Sequence, residues 1–397
     1  MKRRTLLSAI ALLPGWPYAG AIAQTATHAG HAKRAGLAMT ATFAPDGTLW
    51  IVGLNDDHRL FVQQTRDLAR WSTPRILDTG GDTIAADGEN RPKLAFGPNG
   101  AVVISYTQPL AQPYTGEIRM LRSSDGGATF SKPFTVHRDR QVITHRFESI
   151  AFDATGTLHT LWIDKRDLET ARQQDPNASY LGAAVYRNVS TDGGRTFGPD
   201  IKLADHSCEC CRIALAPTPA GGIAAMWRHV FADNIRDHAF ATIAPGGKDA
   251  SAIQRATFDE WQIDACPHHG PGLAPAAGGG YHAVWFGIRG NDAAVRYSRL
   301  AANGEPRGEA RVLPDVAAEH AHIHSIGESV AIVWRSFDGE RTQYAAWISQ
   351  DNGKSFAVRK LGSTADENDH PFLIRRNRAL FAIWRTRKEI RIERVLG

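Results

Sequence analysis

Three of the four cysteines in the chain fall within four residues, Cys208, Cys210 and Cys211 in DHSCECCRIAL; the fourth, Cys266, stands in DACPHHGPG beside His268 and His269. Thiolate and neutral imidazole together select soft or borderline metals, whereas Mg and Ca prefer oxygen ligands. Disulfides spread along a chain close useful loops, and neighbours such as Cys210 and Cys211 are poorly placed to bond to each other. A further set of imidazoles follows in EHAHIHS, where His320, His322 and His324 alternate and would share one face of a strand. His145 in HRFES and His370 in NDHP extend the set, with Glu148, Glu209 and Asp369 nearby as carboxylates able to orient an imidazole. His28 and His31 read as tail residues.

Residues so far apart need a repeat to bring them together, and the chain has one. A small-residue strand, a Gly-containing turn and an apolar strand ending in an aromatic recur, with Tyr106, Trp162, Trp227, Trp285, Trp334 and Trp384 at the aromatic position. These lie 56, 65, 58, 49 and 50 residues apart, a period expected for four-stranded propeller blades. MTATFAPDGTLWIVG is an earlier copy with Gly53 at the aromatic position, so the pattern predicts an all-β propeller of seven blades, with six as the other count. The last copy supplies three strands, and the segment before Thr40 is expected to add the fourth. The aromatics are expected to pack between blades. Counted back from Trp227, Cys208 lies 19 and Cys211 lies 16 residues upstream; counted back from Trp285, Cys266 and His269 lie at the same two offsets. C-E-C-C and C-P-H-H therefore occupy equivalent places, at the approach to the first strand of adjacent blades. The first strand lines the central channel, so all four cysteines and the histidines are expected to converge at one of its mouths.

Three further segments, SSDGGATF (Ser123–Phe130), STDGGRTF (Ser190–Phe197) and SQDNGKSF (Ser349–Phe356), each follow a strand-like run. Asp and Gly supply the turn, and the Phe can tuck beneath the hairpin. The pattern resembles the Asp-box of sialidase-type β-propellers, a likeness that covers most of the chain and places the boxes on the outer part of each blade. The family's activity carries over only in part. The resemblance implies three arginines that clamp a substrate carboxylate. NRPKLAF offers Arg91 without the usual Arg-Ile-Pro order, and Arg146 and Arg212 sit at related blade positions. No tyrosine among Tyr106, Tyr186, Tyr281, Tyr297 and Tyr344 is marked by spacing as the nucleophile beside a glutamate. Asp164 and Asp167 in DKRD would serve acid–base chemistry or stand on a solvated loop.

The opening MKRRTLLSAIALLPGWPYAGAIAQ has a basic start, an apolar run and a small-x-small site before Gln24, which predicts a secretory signal over residues 1–23 and one propeller domain over 24–397. The remaining chain has no run of about 20 apolar residues able to span a membrane. A formal net charge of +5 with scattered lysines and arginines gives no basic stripe, so nucleic acid is not an expected partner. In a periplasmic protein, thiolates with surplus imidazoles point to copper held as Cu(I) for uptake, buffering or delivery. The partner would be an outer-membrane transporter or a cuproprotein assembly factor. Cys208, Cys211, Cys266 and His269 alone would suit tetrahedral zinc, and two disulfides without metal are the oxidised alternative. The enzyme alternatives are a copper oxidoreductase and a sialidase or other glycoside hydrolase.

Overall fold

A computed structural model describes residues 36–397 apart from Cys266. The expected signal segment, the tail histidines and Cys266 lie outside the described residues. The strands form seven antiparallel sheets in a ring, six of four strands and one of three, each sheet ordered as its strands occur along the chain. The blades span residues 40–76, 93–135, 145–207, 214–255, 272–312, 319–364 and 372–396. First strands of neighbouring blades lie against one another around the axis. The seventh blade has three strands among the described residues; of the segment expected to supply the fourth, residues 36–39 form no strand and the rest are not described. No described helix is long and apolar enough to cross a membrane.

The recurring aromatics sit on the second strand of their blades and are 0–3 % exposed. Burying a side chain of this size contributes about 2–3 kcal/mol, and the indole N–H groups of Trp162, Trp285 and Trp334 are satisfied by Asp164, Asp259 and Asp315 at 2.8, 2.6 and 2.7 Å. The first blade carries Gly53 at this place, where an added Cβ would lie 3.2 Å from Met39 Cβ and 3.3 Å from Nη1 of Arg385 in the seventh blade. Arg385 Nη2 donates to the Leu54 carbonyl at 3.0 Å. The first and last blades also share an apolar cluster that joins Met39, Leu49 and Ile51 to Ile374 and Ile383.

Each Asp-box joins the third strand of a blade to the fourth. Ser123 Oγ donates to Asp125 Oδ1 at 2.6 Å and accepts the Gly127 N–H at 2.8 Å, while Thr129 Oγ1 donates to Asp125 Oδ2 at 2.6 Å. The same bonds recur about Asp192 and Asp351. Phe130, Phe197 and Phe356 pack against the cores beneath.

Candidate metal centre

The linker from the third blade to the fourth, residues 208–213, carries the three cysteines. Cys208, Cys210 and Cys211 are 1–4 % exposed and pack with Phe147, Ile163, Val185 and Trp227. Their sulfurs form a nearly equilateral triangle, with sides of 3.7, 3.8 and 3.9 Å. A point at its centre lies about 2.2 Å from each sulfur, close to the roughly 2.3 Å of a zinc–thiolate bond. Hydrogen bonds from the Cys210 and Cys211 thiols push the Cys208 thiol well below its ordinary range, whereas burial pushes that of Cys211 up. Negative charge therefore gathers first on Cys208, and a metal ion would displace the remaining protons.

The linker is tied to its neighbours at both ends. Cys208 donates its N–H to the Arg228 carbonyl at 3.0 Å, and the Arg228 guanidinium donates to the His269 carbonyl at 3.0 Å. On the other side stands Glu89, a residue the sequence motifs do not flag. Its Oε2 accepts the backbone N–H groups of Arg212 and of Gly270, each at 3.1 Å, and its Oε1 accepts from the Arg212 guanidinium. Arg212 follows Cys211 and Gly270 follows His269, so one carboxylate grips the two linkers at equivalent positions. Burial alone would raise the Glu89 carboxyl; the Arg212 guanidinium and His320 hold it well below the usual range. Glu89 lies 17 residues before Tyr106, within the same 16–19 offset as the cysteines, and that count was the signal that could have found it.

The histidines form a second cluster. His320 stacks on His269 with ring centroids 4.5 Å apart and on His370 at 3.4 Å, and its Nδ1 lies 3.5 Å from Glu89 Oε1. Desolvation lowers all three imidazoles and keeps them neutral. A bulge aims His320. It shares the Trp334 position with Ala321, at φ 51°, and Phe147 occupies the matching bulge opposite Trp162, at φ 56°. In one blade the device sets a phenyl ring against the cysteines, and in the other an imidazole at the channel.

The remaining candidates stand elsewhere. His322 lines the axial cavity but accepts the Leu373 N–H at 3.2 Å, and His324 accepts the Ser325 N–H at 2.8 Å. His268 is exposed, at φ 53°. His145 is fully buried away from the sulfurs, stacked on His137 at 3.9 Å with its Nε2 3.2 Å from Asp139. It precedes the Phe147 bulge, and one extra residue reverses which side of the strand each side chain faces. None of the three expected carboxylates orients an imidazole. Glu148 accepts from Ser105 and Thr107, Glu209 pairs with Lys165, and Asp369 takes both arms of Arg91 at 3.0 Å. Asp164 is no solvated loop residue: it is fully buried and paired with Arg166 at 2.7 Å.

No protein-family model matches the chain, and no curated protein matches it. Among solved structures, an ulvan lyase of a new polysaccharide lyase family superposes with a TM-score of 0.58 at 12 % identity, covering 91 % of this chain and 93 % of that one. The α-L-arabinofuranosidase of Fusarium graminearum complexed with arabinobiose gives a TM-score of 0.50 at 12 % identity, over 82 % and 92 %. The NanB sialidase of Streptococcus pneumoniae gives 0.49 at 9 %, over 88 % and 82 %. The chain shares its propeller fold with the lyase and the arabinofuranosidase. At these identities the likeness extends to the fold alone. The first strand of every blade contributes to a cavity of about 270 Å³ faced by Arg91, Lys93, Arg212, His320, His322 and His370. Arg91 and Arg212 are each paired with a buried carboxylate. Burial pushes the Lys93 ammonium down to about 8, and its Nζ donates to the Arg91 carbonyl at 2.8 Å.

Proposed function

We propose that the Cys208–Cys211 linker binds one Cu(I) ion through three thiolates, and that the protein holds and hands over copper outside the cytoplasm. The triangle of sulfurs carries this reading. Three soft ligands with a common centre about 2.2 Å away match trigonal Cu(I), which is satisfied by sulfur alone. The export-type N-terminus supports a periplasmic location, and a recipient would be an outer-membrane transporter or a cuproprotein assembly factor.

The test is anaerobic titration of the mature, untagged protein with Cu(I) against a competing chelator, followed by X-ray absorption. One equivalent with three sulfurs at about 2.2–2.3 Å, lost in Cys208→Ser with Cys211→Ser while the far-UV spectrum stays unchanged, is the expected result. Binding retained in that double variant, or no Cu(I) uptake by the parent, would overturn the proposal.

A second reading is favoured by the axial cavity, where Arg91, Lys93 and Arg212 face a space of sugar size, in the fold shared with an ulvan lyase and an arabinofuranosidase. Against hydrolysis, the work needs two available carboxyl groups, and Glu89 and Asp369 are already engaged by arginines. Turnover of ulvan or arabinobiose that survives loss of the cysteines would move the function to the axis.

A further inference from the structure

We propose that His269, His320 and Glu319 hold a second, divalent ion, Zn(II) or Cu(II), at the channel mouth, separate from the thiolate linker. One ligand atom from each of the three lies within 4.8 Å of the others. His320 Nε2 and Glu319 Oε2 are 3.8 Å apart. Two ligands about 2.1 Å from a tetrahedral ion stand about 3.4 Å apart, so the pair has only a few tenths of an ångström to close.

The unused hydrogen-bonding capacity is an independent sign. His269 Nδ1 is buried without a hydrogen-bond partner, and the His320 side chain beside it is 10 % exposed. Buried polar atoms in folded proteins ordinarily find a partner, and one left without calls for an explanation such as an ion. A rival triad of Glu89, His320 and His370 shares His320. There Glu89 Oε1 already accepts from the Arg212 guanidinium, which a cation would have to displace. Glu319 carries no such burden on the atom that matters: Arg335 holds Oε1 at 2.8 Å and leaves Oε2 facing His320. Glu319 is also 37 % exposed, which gives a hydrated ion a way in. Glu89 then takes the outer role, 3.5 Å from His320 Nδ1, as the carboxylate that orients a ligating imidazole.

Two imidazoles and a carboxylate select borderline divalent ions, while three thiolates select Cu(I). The two clusters therefore differ in the oxidation state they favour, and the second does not depend on the first being loaded.

Calorimetric titration with Zn(II) tests this on mature, untagged protein with Cys208, Cys210 and Cys211 all replaced by serine, and in parallel on the Ag(I)-saturated parent, in case the triple variant does not fold. One equivalent of Zn(II) is expected in both, abolished by His320→Ala and weakened at least tenfold by Glu319→Gln. Absence of Zn(II) binding, or binding indifferent to His320→Ala, would overturn the proposal. Failure of the thiolate reading shows separately, as absence of Ag(I) binding by the parent.

Discussion

Replacing Glu89 by glutamine probes the junction on which both clusters depend. The Glu89 side chain is 2 % exposed and its partner Arg212 20 %. Removing one member of a buried ion pair costs about 3–5 kcal/mol, because the remaining charge is left uncompensated. The partial exposure of Arg212 sets the lower end, about 3 kcal/mol, since the Gln amide oxygen can still accept the Arg212 and Gly270 N–H groups. At about 2.1 cal/mol/K of unfolding entropy per residue over about 360 residues, this lowers Tm by about 4 °C. Differential scanning calorimetry of the metal-free protein at pH 7 measures it directly. Cu(I) affinity should fall as well, because the Arg212 amide that Glu89 fixes belongs to the residue after Cys211. A variant that melts within 1 °C of the parent would refute the idea that this carboxylate clamps the two linkers.

Gly270→Ala should be destabilising by about 1–3 kcal/mol as an overpacked position, since its Cβ would lie 2.3 Å from Arg212 Cγ and 2.6 Å from Glu89 Oε2; an unchanged urea midpoint would contradict the close approach. Asp192→Ala removes bonds from the Thr196 hydroxyl at 2.6 Å and the Thr196 and Arg195 amides at 2.9 and 3.0 Å, and should cost about 1–2 kcal/mol with Cu(I) stoichiometry intact. Loss of metal without loss of stability would place that box near the site. In acid, Glu89, Asp125 and Asp351 have folded values below their ordinary ones, the last two through hydrogen bonds led by Ser123 and Ser355. Their stabilisation is present above the unfolded carboxyl values of about 3.9–4.3 and is lost as pH falls through and below them. The urea midpoint should therefore drop between pH 5 and about pH 3, and a rise over that window would refute the assignment.

Much of the architecture was legible because it is written in turn chemistry and strand period. The Asp-boxes declare themselves by Asp125, Asp192 and Asp351, and six of the seven blades by an aromatic that returns on the second strand. The same register placed Cys211 and His269 at equivalent points, and Glu89 grips the residues that follow both. Glu89 escaped notice because one carboxylate in DGENRPK has no motif around it; its work is done through backbone amides that any residue could supply. His145 was grouped with the channel histidines because a strand was counted as regular, and the bulge at Phe147 turns it aside. The histidine run was legible as one face, but which of its members stays unengaged depended on contacts from the neighbouring blade, as with Leu373 and His322.

The three sulfurs come from a single stretch of four residues between two blades, so the proposed coordinating unit is a cassette and the ring is its socket. On the copper reading, a propeller built this way could gain or lose its metal by exchanging one short connector, while the strands of the blades remain untouched.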